Sequence, residues 1–176
     1  MSGPFGLQQG QKLNEIPFEY QEIAPCRYLF SSLPKNHSAF NEYVLTIAPI
    51  SGLAFVKANG IPLPTNSFGS SLIVKFDEFL ERLKKIYGEP KKSDFLIDGS
   101  CWDEPQDWMN GLQCGERFLG AEWSKANGVD LPNNLKSVFL GVQAIETDQG
   151  NITVEYSFEN EDTAEKEINA LEDDAL

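Results

Sequence analysis

Within residues 72–87, Phe76, Phe79, Leu80, Leu83, Ile86 and Tyr87 recur at i, i+3, i+4, i+7, i+10 and i+11. Asp77, Glu81, Arg82, Lys84 and Lys85 take the opposite side. That spacing predicts a helix with a single apolar face, which has to lie on an equally apolar surface. The ends are marked as well. Ser70 and Ser71 offer N-caps, Gly88 can turn left-handed after the last residue, and Pro90 stops any continuation.

The surface for that helix comes from strands. Tyr43–Ala48 and Leu53–Ala58 are extended runs joined by Pro49-Ile-Ser-Gly52, a hairpin signal in which Gly52 supplies the positive φ. Arg27–Ser31 is a further short strand candidate among the turn formers of residues 17–42. In Arg117–Ser124, Leu119, Ala121 and Trp123 share one side. Ser137–Glu146 is almost wholly apolar and reads as a central strand buried on both faces. Ile152, Val154, Tyr156 and Phe158 alternate with Thr153, Glu155, Ser157 and Glu159, so this strand is expected to keep one wet face. Thr147–Gly150 joins the last two strands antiparallel. Asn59-Gly60 and Asn127-Gly128 read as turns.

The last eighteen residues, Glu159–Leu176, hold eight carboxylates and one lysine. Asp162-Thr-Ala-Glu165 has capping-box spacing, and Ile168, Leu171 and Ala175 follow at 0, 3 and 7. The tail is therefore expected to be a docked amphipathic helix with its carboxylates in water. The order ββ-α-βββ-α then gives an α+β fold: an antiparallel sheet of about five strands with the helices packed on one face, in a single domain spanning 1–176. A length of 176 residues suits that count.

Charge narrows the partners. With a net charge of −13, the chain has no cationic surplus to displace counterions from nucleic acid or to hold an anionic membrane. Mimicry of nucleic-acid phosphates would be the exception, and a basic protein is the partner the charge favours. There is no apolar run of about 18 residues to span a bilayer. The opening Met1-Ser-Gly-Pro-Phe-Gly-Leu7 lacks the features of a secretory signal, so a cytoplasmic protein is expected, or a periplasmic or secreted one whose signal has been removed. Cys26, Cys101 and Cys114 follow no metal-ligand spacing. They read as free thiols in a reducing compartment, with one disulfide and a leftover thiol as the other reading.

Phe5-Gly-Leu-x-x-Gly10 with Glu15-Ile16, the hairpin ending Ser51-Gly-Leu53, and the helix closing Lys85-Ile-Tyr-Gly-Glu-Pro90 together resemble a group of small bacterial proteins of uncharacterised function. The resemblance covers most of the chain. It implies a strand pair, a helix ending YGxP and further strands, and it transfers no catalytic residue. In layout the chain is also distantly similar to β-lactamase inhibitory proteins and to small outer-membrane assembly lipoproteins, a likeness that implies action by binding.

Chemistry-bearing residues are few. His37 is the only histidine and sits in a polar turn, where a solvated loop residue is expected. It leaves little basis for nucleophilic catalysis or a histidine-based metal site. Asp98, Asp103, Glu104 and Asp107 gather around Trp102 and Trp108. Acid–base work on a sugar or a calcium site is one reading of that cluster. A tryptophan-anchored surface helix starting at Pro105, with acids at its N-terminus, is the plainer one. Gly69-Ser-Ser71 could hold an anion but suits simple capping, and no Walker signature occurs. Glu116-Arg117 reads as an exposed ion pair. The function expected is a non-catalytic acidic binding protein of interaction, inhibitor or immunity type, using no cofactor and no metal. Its candidate surface is Trp102, Asp103, Asp107 and Trp108 with Glu165, Glu172 and Asp173. The alternatives are a small hydrolase or carbohydrate-active enzyme using Asp103, Glu104 and Asp107, and a small-ligand carrier.

Overall fold

Three helices and nine strands make up the computed structural model, which describes residues 2–176. The strands are β1 (Tyr20–Ala24), β2 (Arg27–Phe30), β3 (Phe40–Ala48), β4 (Gly52–Gly60), β5 (Leu63–Pro64), β6 (Lys91–Leu96), β7 (Arg117–Ser124), β8 (Leu135–Glu146) and β9 (Gln149–Phe158). The helices are α1 (Ser70–Tyr87), α2 (Trp108–Gln113) and α3 (Glu161–Asp173). The strands hydrogen-bond in the order β1-β2-β3-β4-β9-β8-β7-β6, with β5 on β9. The α+β class is as expected, but the sheet is larger than about five strands and its order differs. Three strands are missing from the sequence reading: β5 has only two residues, and β1 and β6 are exposed along their whole length or nearly so and carry no alternation of buried and exposed residues. No helix among the described residues is long and apolar enough to cross a membrane.

The chain divides into two compact units, Met1–Ala58 with Leu131–Val138 and Glu155–Leu176, and Asn59–Asp130 with Phe139–Val154. In the first unit β1, β2 and β3 form an antiparallel meander, with Phe30 opposite Tyr43 and Tyr28 opposite Leu45. Phe30, Tyr43, Leu45, Leu53, Val56 and Phe158 are sealed from solvent. The β3–β4 hairpin turns at Gly52 (φ 72), as its sequence predicts. A Cβ there would lie 2.1 Å from the Gly10 carbonyl oxygen, so only glycine fits. Around it Gly10 N–H donates to the Leu53 carbonyl (3.0 Å) and Leu53 N–H to that of Gln11 (2.8 Å). Phe5, at φ 55, sends its ring edge-on to Phe40, Tyr43 and Tyr156.

In the second unit α1 buries Leu72, Phe76, Phe79, Leu80 and Leu83. Its apolar face ends earlier than the spacing predicts, because Ile86 is 64% exposed. The caps differ too. Ser70 and Ser71 form the first turn, and their amides donate to Asn66 Oδ1 and Thr65 Oγ1, both at 3.1 Å. Gly88 (φ 88) closes the other end, and its carbonyl accepts the Trp123 indole N–H at 2.7 Å. Leu119, Ala121 and Trp123 of β7 are buried together. Gly60 lies within β4 and not in a turn, held to glycine because a Cβ would come 2.6 Å from the Ile152 carbonyl.

Two strand expectations trade places. β8 is interior in strand order, but Phe139 and Ile145 are exposed, so it is not buried on both faces. β9 instead buries Asn151, Ile152, Thr153 and Val154 in succession, and its expected wet face begins only at Glu155. Asn151 is tolerated there because its amide donates to the Gly60 carbonyl at 3.0 Å.

Candidate interaction surface

The acidic tail is a helix, but it docks differently from its pattern. Only Ala164 and Ile168 are buried, clustering with Cys26, Ala48 and Ala54. Leu171 is 51% exposed and Ala175 is exposed, so only Ile168 of the Ile168/Leu171/Ala175 stripe is buried. The capping box is absent as well. α3 begins after Asn160, whose side-chain amide donates to the carbonyls of Ser51 (3.0 Å) and Leu53 (3.1 Å) in place of capping.

Polar bonds supply what the narrow stripe lacks. Glu167 takes the amides of Ile50 and Ser51 and the Ser51 hydroxyl, the last at 2.6 Å, so one carboxylate closes the β3–β4 turn. Lys12 Nζ donates to the Ile50 carbonyl of the same turn. Burial by itself would raise the Glu167 carboxyl, but the Ser51 hydroxyl, the two amides and Lys12 outweigh it and hold the group below its ordinary 4.5. Glu165 meets Arg27 with both oxygens, at 2.9 and 3.0 Å. Lys136 bridges Glu161 (3.1 Å) and Asp162 (3.2 Å). Of the predicted tail residues, Glu165 is therefore tied down, whereas Glu172 and Asp173 are exposed.

A second element brings acid to the same face. Cys26, on the tight turn between β1 and β2 at φ 59, has its thiol pushed up by burial and then by the charges of Glu22, Glu167 and Glu172, with Arg27 opposing. Glu22 of β1 and Glu172 of α3 thus act on one point. Glu22 reaches the Cys26 amide at 3.4 Å.

Trp108 is half-buried and its ring lies on Gly69, where a Cβ would come within 2.3 Å of it. Trp102 is also half-buried, its amide held by the Ser100 hydroxyl (3.1 Å), which in turn donates to Glu116 (2.9 Å). Asp107, the last residue of the turn Pro105–Asp107 that leads into α2, accepts the Glu104 amide at 3.4 Å. Asp98, Asp103 and Glu104 are exposed. Arg117 pairs with Asp94 at 2.9 Å and not with Glu116, because antiparallel pairing of β6 with β7 puts Asp94 across from the Arg117 end of β7. The tryptophan segment lies in the second unit, and Glu165, Glu172 and Asp173 lie in the first.

His37 Nδ1 accepts the Ala39 amide at 3.1 Å and organises its own turn. All three cysteines are free thiols, Cys26 buried and Cys101 and Cys114 exposed. Among the described residues no group of three or more His, Cys, Asp and Glu side chains is placed to hold a metal ion. Glu167, Ser51 and Asn160 were not anticipated from sequence. A signal for Glu167 exists, since it falls at i+3 from Ala164 and beside Ile168, on the arc that docks. Compared with protein-family models, curated proteins and solved structures, the chain matches none.

Proposed function

We propose that the protein is a non-catalytic binding module that receives a basic protein on the acidic face of its first unit. One observation carries the reading: α3 leaves Glu172 and Asp173 exposed while Glu165 is already paired with Arg27, and Glu22 of β1 takes the amide of Cys26, which packs against α3. The helix that presents Glu172 and Asp173 is fixed upstream by Glu167, so its charges hold a constant position, which favours fast and oriented association with a cationic partner. Exposed Leu171, next to Glu172 in the chain, adds apolar area.

Affinity chromatography of a native-host extract tests this. A basic protein retained at low salt, released at high salt and lost on the double substitution Glu172→Lys, Asp173→Lys is the expected result. No retained protein, or retention indifferent to both salt and substitution, overturns the reading.

A further inference from the structure

The terminal strand β1 bonds only to β2, and among the described residues no strand pairs its other edge. All five of its residues are exposed, Tyr20 and Ile23 each to 50%. Natural sheets blunt such edges with charge, lysine above all. The other terminal strand does so: β6 carries Lys91, Lys92 and Asp94. β1, reading Tyr-Gln-Glu-Ile-Ala, has no lysine or arginine and a single charge.

Two depressions flank Tyr20. One, of about 570 Å³, is lined by Lys12, Leu13, Asn14, Ile16, Tyr20 and Pro49. The other, of about 340 Å³, has Tyr20, Leu29 and Phe30 with the carboxylates of Glu19 and Glu42. Resting on the reading of a basic partner, we infer that β1 takes an extended segment of that partner as an added antiparallel strand, with lysine or arginine alternating with apolar side chains. The charge sets the occupant, since Glu19, Glu22 and Glu42 offer only acceptors to cations. Period-two alternation sets the pattern, because side chains on an added strand point to opposite faces in turn. Regular pairing of β1 with β2 runs from Tyr20 to Glu22, beside both depressions, and shifts register between Glu22 and Ala24.

The probe is a synthetic peptide of alternating Lys and Val, compared with its Glu/Val counterpart and with a copy N-methylated at every second amide. Titration calorimetry is expected to show saturable binding of the Lys/Val peptide alone, weakened at least tenfold by Ile23→Pro and by Glu22→Lys. Ile23 and Glu22 are exposed, and the wild-type protein with the N-methylated peptide gives the same test without any substitution. Equal binding of the N-methylated copy overturns strand addition. Loss on Glu172→Lys, Asp173→Lys with none on the β1 substitutions also overturns it, but leaves the basic-partner reading standing. Self-association that Ile23→Pro abolishes would assign the edge to a second copy of the chain and overturn the basic occupant. Absence of peptide binding, with a basic protein still retained from extract and lost on the α3 substitutions, overturns the added strand alone.

Discussion

α1 and α3 are both amphipathic, yet they are held by different forces. α1 sinks five large side chains, among them Phe76 and Phe79, into its unit, whereas α3 buries one alanine and one isoleucine. What α3 lacks in apolar area it recovers from Glu167 on the Ile50–Ser51 amides, Arg27 on Glu165, and Lys136 on Glu161 and Asp162. Apolar burial responds little to pH or salt, while carboxylate bonds respond to both. A sequence can therefore repeat the same helical period twice and produce one helix held by apolar burial and one held by carboxylate bonds.

The largest effect expected falls on α1. Phe76→Ala, at a fully buried site, should cost about 3–5 kcal/mol in denaturant unfolding; a loss near that of a surface change would remove the contrast. Glu167→Gln comes next. It keeps the shape but weakens three bonds to a charged acceptor, and about 1–2 kcal/mol is expected, read best as faster hydrogen exchange in α3. The two helices should also part along the pH axis. The Glu167 group lies below its ordinary 4.5 when folded, so its contribution is complete above that value and is lost as pH falls through the lower folded one. α3 should loosen in acid before α1 does, by the same exchange measurement.

On the alkaline side α1 has a titration of its own. Burial pushes Tyr87, the last residue of α1, from 10.0 up to about 12. A raised group stabilises fully below its unfolded value, so α1 should keep its hold to pH 10.0 and lose part of it as pH climbs toward about 12. Ultraviolet titration of tyrosinate would follow it, and Tyr87→Phe should remove the late step. The smallest effect is Arg27→Ala. The pair with Glu165 is partly exposed, so under about 1 kcal/mol is expected, shrinking further in salt. A larger cost would mean that Arg27 also orders the Cys26 turn.

Much of this was legible where burial follows a period. α1, β4 of the hairpin at Gly52, and the Leu119/Ala121/Trp123 side of β7 repeat at 3.6 or 2 residues because one side of each is buried. β1 and β6 were illegible for the converse reason: a terminal strand with little buried surface carries no alternation to read. Long-range contact is the other limit. The Ile168/Leu171/Ala175 spacing suggested a stripe, but whether Leu171 meets anything depends on where β3 and β4 end. Nor could Glu167 be separated from its acidic neighbours until Ser51 was placed beside it. Trp102 and Trp108 showed by identity that they anchor something, and only Gly69 shows that Trp108 anchors inward.

The turn at residues 49–52 gathers Lys12, Asn160 and Glu167 from separations of 38, 109 and 116 or 117 residues. Each of those bonds waits for a long loop to close, and closing loops of that length is slow. The hairpin itself is local and can form early, but its turn is finished only when both distant stretches arrive. The Ile50 and Ser51 amides should therefore be among the last in the first unit to gain protection during refolding. When the native chain opens, they should be among the first to exchange.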